Sequence, residues 1–157
     1  KDKINNFLTS KYWDEIYQSG NTGWDLNQAT PIFVDWISRQ QRKDLKICVL
    51  GAGNGWDAIY FAKLGHNVTA VDFARTPVNN MRNKAKKNKI KLNILELDIF
   101  KLDKLYTNYF DVIIEYTCYC AIPPSKRDDY IKTVYNILKP GSKFVALFFL
   151  IFLILFQ

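Results

Sequence analysis

The stretch Lys46-Ile47-Cys48-Val49-Leu50-Gly51-Ala52-Gly53-Asn54-Gly55-Trp56-Asp57 constrains this chain more than any other. A short apolar run that ends on closely spaced glycines reads as a buried strand entering a tight turn. Residues 57–64 then carry Ala58, Phe61 and Ala62 at helical spacing, and Gly65 stops them. Such a unit presents the free N–H groups of a helix start to whatever lies above the turn. A second apolar strand, 67–71, ends at Asp72, 21 residues after Gly51. At about that distance, nucleotide-binding α/β folds place a carboxylate against ribose hydroxyls.

The rest of the chain continues the alternation. Thr76-Pro77 opens a helix, with Thr as cap and Pro at the first helical position. Residues 92–97 and 111–114 read as a third and a fourth strand, with Leu92, Ile94 and Glu96 on one face of the third. Pro123-Pro124-Ser125 starts a further helix, on which Ile131, Val134, Tyr135 and Leu138 fall at helical spacing, and Lys139-Pro140-Gly141 stops it. A fifth strand covers 144–147. Strands alternating with helices imply an α/β fold: a mostly parallel sheet with helices on both faces. Residues 1–40 are helical in character, and Phe33, Trp36 and Ile37 form one apolar helix face for the core. A length of 157 residues suits a single domain, 1–157, with a core over 46–149 and an apolar tail over 150–157.

The net charge is +7, and Arg82, Lys84, Lys86, Lys87, Lys89 and Lys91 carry much of it. The run lacks interleaved aromatics, so it reads as a solvated helix end and no nucleic-acid partner is expected. Three cysteines provide no secreted disulfide framework, which points to a reducing, cytoplasmic location. His66 is the sole histidine, so no His-based triad and no His-based metal site is available, and no metal is expected. Cys118 and Cys120 are two apart on an expected strand end and face opposite sides as small buried residues. The turn reads G-x-G-x-G, with Trp56 where the dinucleotide fingerprint G-x-G-x-x-G requires its third glycine. That favours S-adenosylmethionine (SAM), which has no pyrophosphate, over NAD.

Several blocks resemble the thiopurine methyltransferase superfamily, and within it the plant-type thiol and halide methyltransferases. They are Tyr12-Trp13-Asp14-Glu15-Ile16-Tyr17, Thr22-Gly23-Trp24-Asp25-Leu26 and Thr30-Pro31, then 49–58, Gly65-His66-Asn67-Val68, Val71-Asp72-Phe73 and Glu115-Tyr116-Thr117-Cys118-Tyr119-Cys120-Ala121-Ile122. The resemblance spans about residues 12–148. It implies a Rossmann-like class I methyltransferase fold in which the segment 1–40 caps a bound SAM. The positions matching its contacts are Trp13, Tyr17 and Trp24 in the cap, with Gly51, Gly53 and Gly55 in the turn. Asp72 matches the ribose contact, with Phe73 beside it as a further cofactor-binding candidate, and Asp98 and Ile99 match positions around the adenine. Tyr116 matches a residue beside the sulfonium. Tyr116 and Tyr119 are the catalytic candidates, placed to touch the nucleophile. Tyr17 stands where relatives often carry a second Trp.

The implied reaction is transfer of the SAM methyl group to a small nucleophile such as a thiol or halide, leaving S-adenosylhomocysteine. Two alternatives stay open: SAM cleavage by a lyase or hydrolase on the same scaffold, and non-catalytic SAM binding. Relatives continue past the fifth strand with a helix and two more strands, so the fold is expected to lack those last strands. Residues 144–156 form thirteen apolar residues in a row, too few for a membrane-spanning helix, which needs about 20. An exposed apolar, β-prone tail suggests a homo-oligomer formed through it, or a tail packed on the sheet edge.

Overall fold

The computed structural model describes residues 9–148. Two helices lead, α1 (Ser10–Ser19) and α2 (Pro31–Ser38). Then come β1 (Lys46–Leu50), α3 (Trp56–Lys63), β2 (Asn67–Asp72), α4 (Arg75–Lys87) and β3 (Asn93–Glu96). A 3-10 helix, Ile99–Lys104, leads to β4 (Phe110–Tyr116), the short α5 (Cys118–Ala121), a 3-10 turn Pro124–Lys126, α6 (Arg127–Ile137) and β5 (Leu138–Leu147). All strand pairs are parallel, in the order β3-β2-β1-β4-β5.

Strand alternation divides the core into two layers. Ile47, Val49, Val68, Ala70, Val112 and Ile114 face α2, α3 and α4, where Phe33, Ile37, Phe61 and Met81 close the packing. Cys48, Leu50, Val71 and Ile113 face the other way, onto Leu102, Tyr130, Val134 and Ile137. Trp36 packs against the first layer as expected. The tie at the N-terminal edge of the sheet is polar. Asp111 accepts from the Lys46 N–H (2.8 Å) and from the Lys139 ammonium (2.6 Å).

The observed elements depart from the sequence reading in four places. Helix α4 starts at Arg75 with Ala74 as N-cap, so Thr76 is inside its first turn and does not cap it. A distant side chain takes over that role: Asp14 of α1 accepts from the Thr76 N–H. The buried face of α6 is Tyr130, Thr133, Val134 and Ile137, whereas Ile131 and Tyr135 are 55% and 78% exposed. The large ring of Tyr130 fixes the rotation of the helix by filling the second core layer. Strand β5 begins at Leu138 and runs through Lys139-Pro140-Gly141, with an irregularity in its pairing between Phe110 and Val112. An edge strand tolerates a proline whose missing N–H faces away from the ladder. Finally, Cys118 and Cys120 belong to α5 rather than to a strand, both half-buried. Thr117 has φ of +59°, and this turns the chain out of β4.

The basic run occupies the C-terminal end of α4 and the loop beyond, where cations suit the exposed carbonyls. Lys86, Lys87, Lys89 and Lys91 are exposed, and Arg82 pairs with Glu96 at 3.4 Å. His66 is buried, and its Nδ1 accepts from the Leu45 N–H at 3.3 Å. No helix among the described residues is long and apolar enough to cross a membrane. The apolar residues 149–157 lie outside the described residues.

Candidate active site

Strand order reverses between β1 and β4: from β1 the chain moves to β2 on one side and returns to β4 on the other. The ends of β1 and β4 therefore diverge, and open α/β sheets bind ligands at that crevice. A cleft of about 1100 Å³ lies there.

The glycine turn forms its floor. Asp72, which closes β2, reaches across to it: one oxygen accepts from the Gly53 N–H and the other from the Ala74 N–H, both at 2.9 Å. The Phe73 N–H adds a third, weaker pull, which leaves the carboxylate some acceptor capacity for a further partner. Burial pushes the Asp72 carboxyl above its ordinary range, against the pull of those N–H groups. Gly53 has φ of +53°, and a Cβ there would lie 2.5 Å from the Tyr17 hydroxyl. Only glycine lets α1 approach the turn so closely.

The N-terminal segment forms the roof. Trp13, Tyr17 and Trp24 meet edge to face, with centroids 5.8 Å apart for Trp13–Trp24 and 6.0 Å for Tyr17–Trp24. The segment is tied down by polar contacts that are distant in sequence. The Tyr116 hydroxyl donates to the Trp24 carbonyl at 3.1 Å. Asp57, at the start of α3, accepts from the Thr30 N–H (2.6 Å) and hydroxyl (2.9 Å). Asp98 caps the 3-10 helix through the Phe100 N–H at 3.1 Å and, with Ile99, lines the wall after β3.

Trp13, Tyr17, Trp24, Gly51, Gly53, Asp72, Phe73, Asp98, Ile99 and Tyr116 thus line a single cleft. Two of the residues expected there do not. Gly55 caps α3 from below, where a Cβ would collide with Met81, so it serves packing rather than the cleft surface. Tyr119 turns away because it sits on α5: its ring lies 5.3 Å from Tyr130 and 5.3 Å from Phe148, with the Arg127 guanidinium 5.0 Å over its face. Instead Cys118 and Cys120 reach the lining.

Burial raises the hydroxyl pKa of Tyr17, and it raises that of Tyr116 together with the charges of Asp57 and Asp25. Both rings are therefore neutral phenols at neutral pH. Glu115, fully buried at the end of β4, accepts from the Cys118 and Tyr119 N–H groups, and burial pushes it up to about 7. Sequence reasoning assigned no role to Asp25, Asp57 or Glu115. Their signal lies in partners 27 to 31 residues away for the first two, and in burial for the third. Among the described residues no group of His, Cys, Asp or Glu is arranged to hold a metal ion.

Sheet order, a glycine turn at the switch point and an acidic residue closing β2 define the Rossmann-like fold of class I SAM-dependent methyltransferases. The chain belongs to the thiopurine S-methyltransferase family, whose model matches residues 8–153. It is 28% identical over 137 residues to a probable thiol methyltransferase 2 of Arabidopsis thaliana, covering 87% of this chain and 61% of that protein. It is 26% identical over 141 residues to thiocyanate methyltransferase 1 of Brassica oleracea, with the same coverage, 87% and 61%. The chain therefore spans about three-fifths of the length of these relatives. A 1,6-didemethyltoxoflavin-N1-methyltransferase from Burkholderia thailandensis, solved with S-adenosylhomocysteine, superposes with a TM-score of 0.73 at 23% identity, covering 89% of this chain and 60% of that one.

Proposed function

We propose that this chain is a SAM-dependent methyltransferase that methylates a small nucleophile, a thiol or halide. The observation that carries the reading is the convergence on one cleft of the glycine turn, the Asp72 carboxylate and the Trp13–Tyr17–Trp24 roof. The donor set suits this ligand. Asp72 keeps acceptor capacity for the ribose hydroxyls, and the carboxylates of Asp57 and Asp72 favour a cation. Aromatic rings attract a sulfonium by about 0.5–2 kcal/mol each.

When bound, SAM supplies an activated methyl group whose departure leaves a neutral thioether. Asp72 would hold the ribose, and Asp98 and Ile99 would border the adenine. Trp13, Tyr17 and Trp24 cover the ligand and exclude water. Tyr116 stands at the acceptor side with its one hydroxyl proton donated to the Trp24 carbonyl, so its ring borders the nucleophile's approach and it removes no proton from it. An acceptor that arrives as an anion requires only alignment and desolvation. Tyr119 is set aside as a catalytic residue because its half-buried ring packs on Tyr130 and Phe148, away from the cleft.

A cytoplasmic location fits the three free cysteines. Self-association is supported by the thirteen-residue apolar run 144–156.

The test is calorimetric titration with SAM and S-adenosylhomocysteine beside the Asp72→Ala variant, followed by headspace detection of methylated thiol or methyl iodide. Binding that Asp72→Ala abolishes, with a volatile methylated product, is the expected outcome. A folded wild type that binds neither ligand would refute the reading.

A further inference from the structure

Three N–H groups surround one carboxylate at the mouth of the cleft. Asp25 Oδ1 accepts from the Trp56 indole Nε1 (2.8 Å) and from the Asn27 N–H (2.8 Å), and Oδ2 accepts from Asn54 Nδ2. Asn54 and Trp56 belong to the glycine turn and the first residue of α3. Their positions are themselves secured. Asn54 Oδ1 accepts from Asn80 Nδ2 at 2.9 Å, which fixes the orientation of its amide. The Lys84 ammonium donates to the Asn54 carbonyl at 3.1 Å and stands 4.1 Å over the Trp56 ring.

The residue before Asp25 is held from the opposite side. The Trp24 carbonyl accepts from the Tyr116 hydroxyl at 3.1 Å, and its indole N–H donates to the Tyr17 hydroxyl at 3.4 Å. The dipeptide Trp24-Asp25 is therefore a strap across the switch point. One end is fastened to the turn after β1, the other to the end of β4.

We propose that Asp25 is a positioning residue that keeps this strap, and the Trp24 ring with it, closed over a bound adenosyl ligand. It sets cofactor affinity rather than the rate of methyl transfer. The inference rests on the reading of the cleft as a SAM site. A general-base role fits the geometry poorly. A carboxylate offers about four lone-pair sites, and N–H donors from the turn and from Asn27 already take three of them. Removal of the carboxylate unfastens the strap from the glycine turn and leaves its ties to Tyr116, Tyr17 and the Trp13 ring. The ordering cost of closing it then falls on ligand binding.

The experiment compares Asp25→Ala, Asp25→Asn and Trp56→Phe with the wild-type chain. It uses S-adenosylhomocysteine calorimetry, hydrogen exchange of residues 22–27 in the ligand-free protein, and kcat at saturating SAM. Asp25→Ala is expected to weaken S-adenosylhomocysteine about 10–100-fold, the range for hydrogen bonds to a charged group. Asp25→Asn retains an acceptor for Trp56 and is expected to fall between it and wild type. Trp56→Phe keeps the ring under Lys84 and removes only the indole donor, so it carries the test even if Asp25→Ala folds poorly. The double variant Asp25→Ala/Trp56→Phe should bind no more weakly than Asp25→Ala alone, since both remove one shared bond. Exchange at 22–27 should accelerate in Asp25→Ala while kcat stays within about threefold, a split that general destabilisation does not produce. Unchanged affinity and exchange would overturn the proposal and leave the SAM reading standing, as would a loss of kcat at unchanged affinity. A wild type that binds no S-adenosylhomocysteine would bring down both.

Discussion

Alanine at Gly53 and at Gly55 should produce opposite phenotypes, although the two positions are two residues apart in one turn. Both have positive φ, +53° and +80°, so each substitution costs about 1–2 kcal/mol in backbone strain. The difference lies in what the new methyl meets. At Gly55 it would lie 2.3 Å from Met81 Cγ, 2.6 Å from its sulfur and 2.9 Å from its Cβ. Met81 is fully buried, and its Cβ moves only with α4, so the helix itself must shift. Overpacking of this kind costs a further ~1–3 kcal/mol. Gly55→Ala should therefore lose about 2–5 kcal/mol, a large share of the roughly 5–15 kcal/mol of an ordinary domain. At Gly53 the methyl meets the Tyr17 hydroxyl at 2.5 Å, the far end of a side chain that can swing aside. Gly53→Ala should lose only the strain energy in stability. Displacing Tyr17 from the roof of the cleft should nevertheless weaken S-adenosylhomocysteine by about tenfold or more, roughly one lost contact of 1.4 kcal/mol. Scanning calorimetry reads the first effect, with about 2–4 °C per kcal/mol for a chain of this size. Titration reads the second. A Gly55→Ala melting point within 2 °C of wild type would refute the packing argument, and Gly53→Ala binding at full affinity would refute the other half.

Three further outcomes follow from the same geometry. Glu115 binds its proton more tightly in the folded chain, with its value raised from 4.5 to about 7 by burial. Stability should therefore be greatest below the unfolded value and fall by about 3 kcal/mol as pH rises from 4.5 to 7. Denaturant melts of Glu115→Gln across that window should lack this slope, and an identical slope in the variant would assign it elsewhere. Tyr119→Phe should leave ligand affinity and turnover within about twofold, whereas Tyr119→Ala should destabilise by about 1–3 kcal/mol, as truncation of a half-buried aromatic does; a turnover loss in Tyr119→Phe on a fully folded protein contradicts the placement of this ring. Tyr116→Phe removes the tie to Trp24 and should raise the Kd for S-adenosylhomocysteine severalfold, about 1 kcal/mol for one hydrogen bond; an unchanged Kd would mean that the tie contributes nothing.

Much of this protein is determined locally. Parallel strands buried on both faces must be continuous apolar runs, so β1, β2 and β4 were legible from composition alone. The turn after β1 needs glycines for a backbone reason that no distant residue alters. Asp72 follows from spacing, because a βαβ unit has a nearly constant length. The decisions left to tertiary structure were those of direction and pairing. Periodicity could not say which side of α6 faces inward; the volume of Tyr130 did. Nothing near Cys118 announces that Thr117 turns left-handed and winds the next residues into α5, which carries Tyr119 away from the cleft. Gly55 and Gly53 look alike in sequence, and only the position of Met81 beneath one and Tyr17 above the other separates a packing residue from a cleft residue. The ties that hold the roof, Asp25 to Trp56 and Asn54, Asp57 to Thr30 and Asp14 to Thr76, join positions 27 to 62 residues apart. Hydrogen bonds made by side chains leave no period in a sequence, so these residues acquire meaning only when the sheet brings the strand ends together.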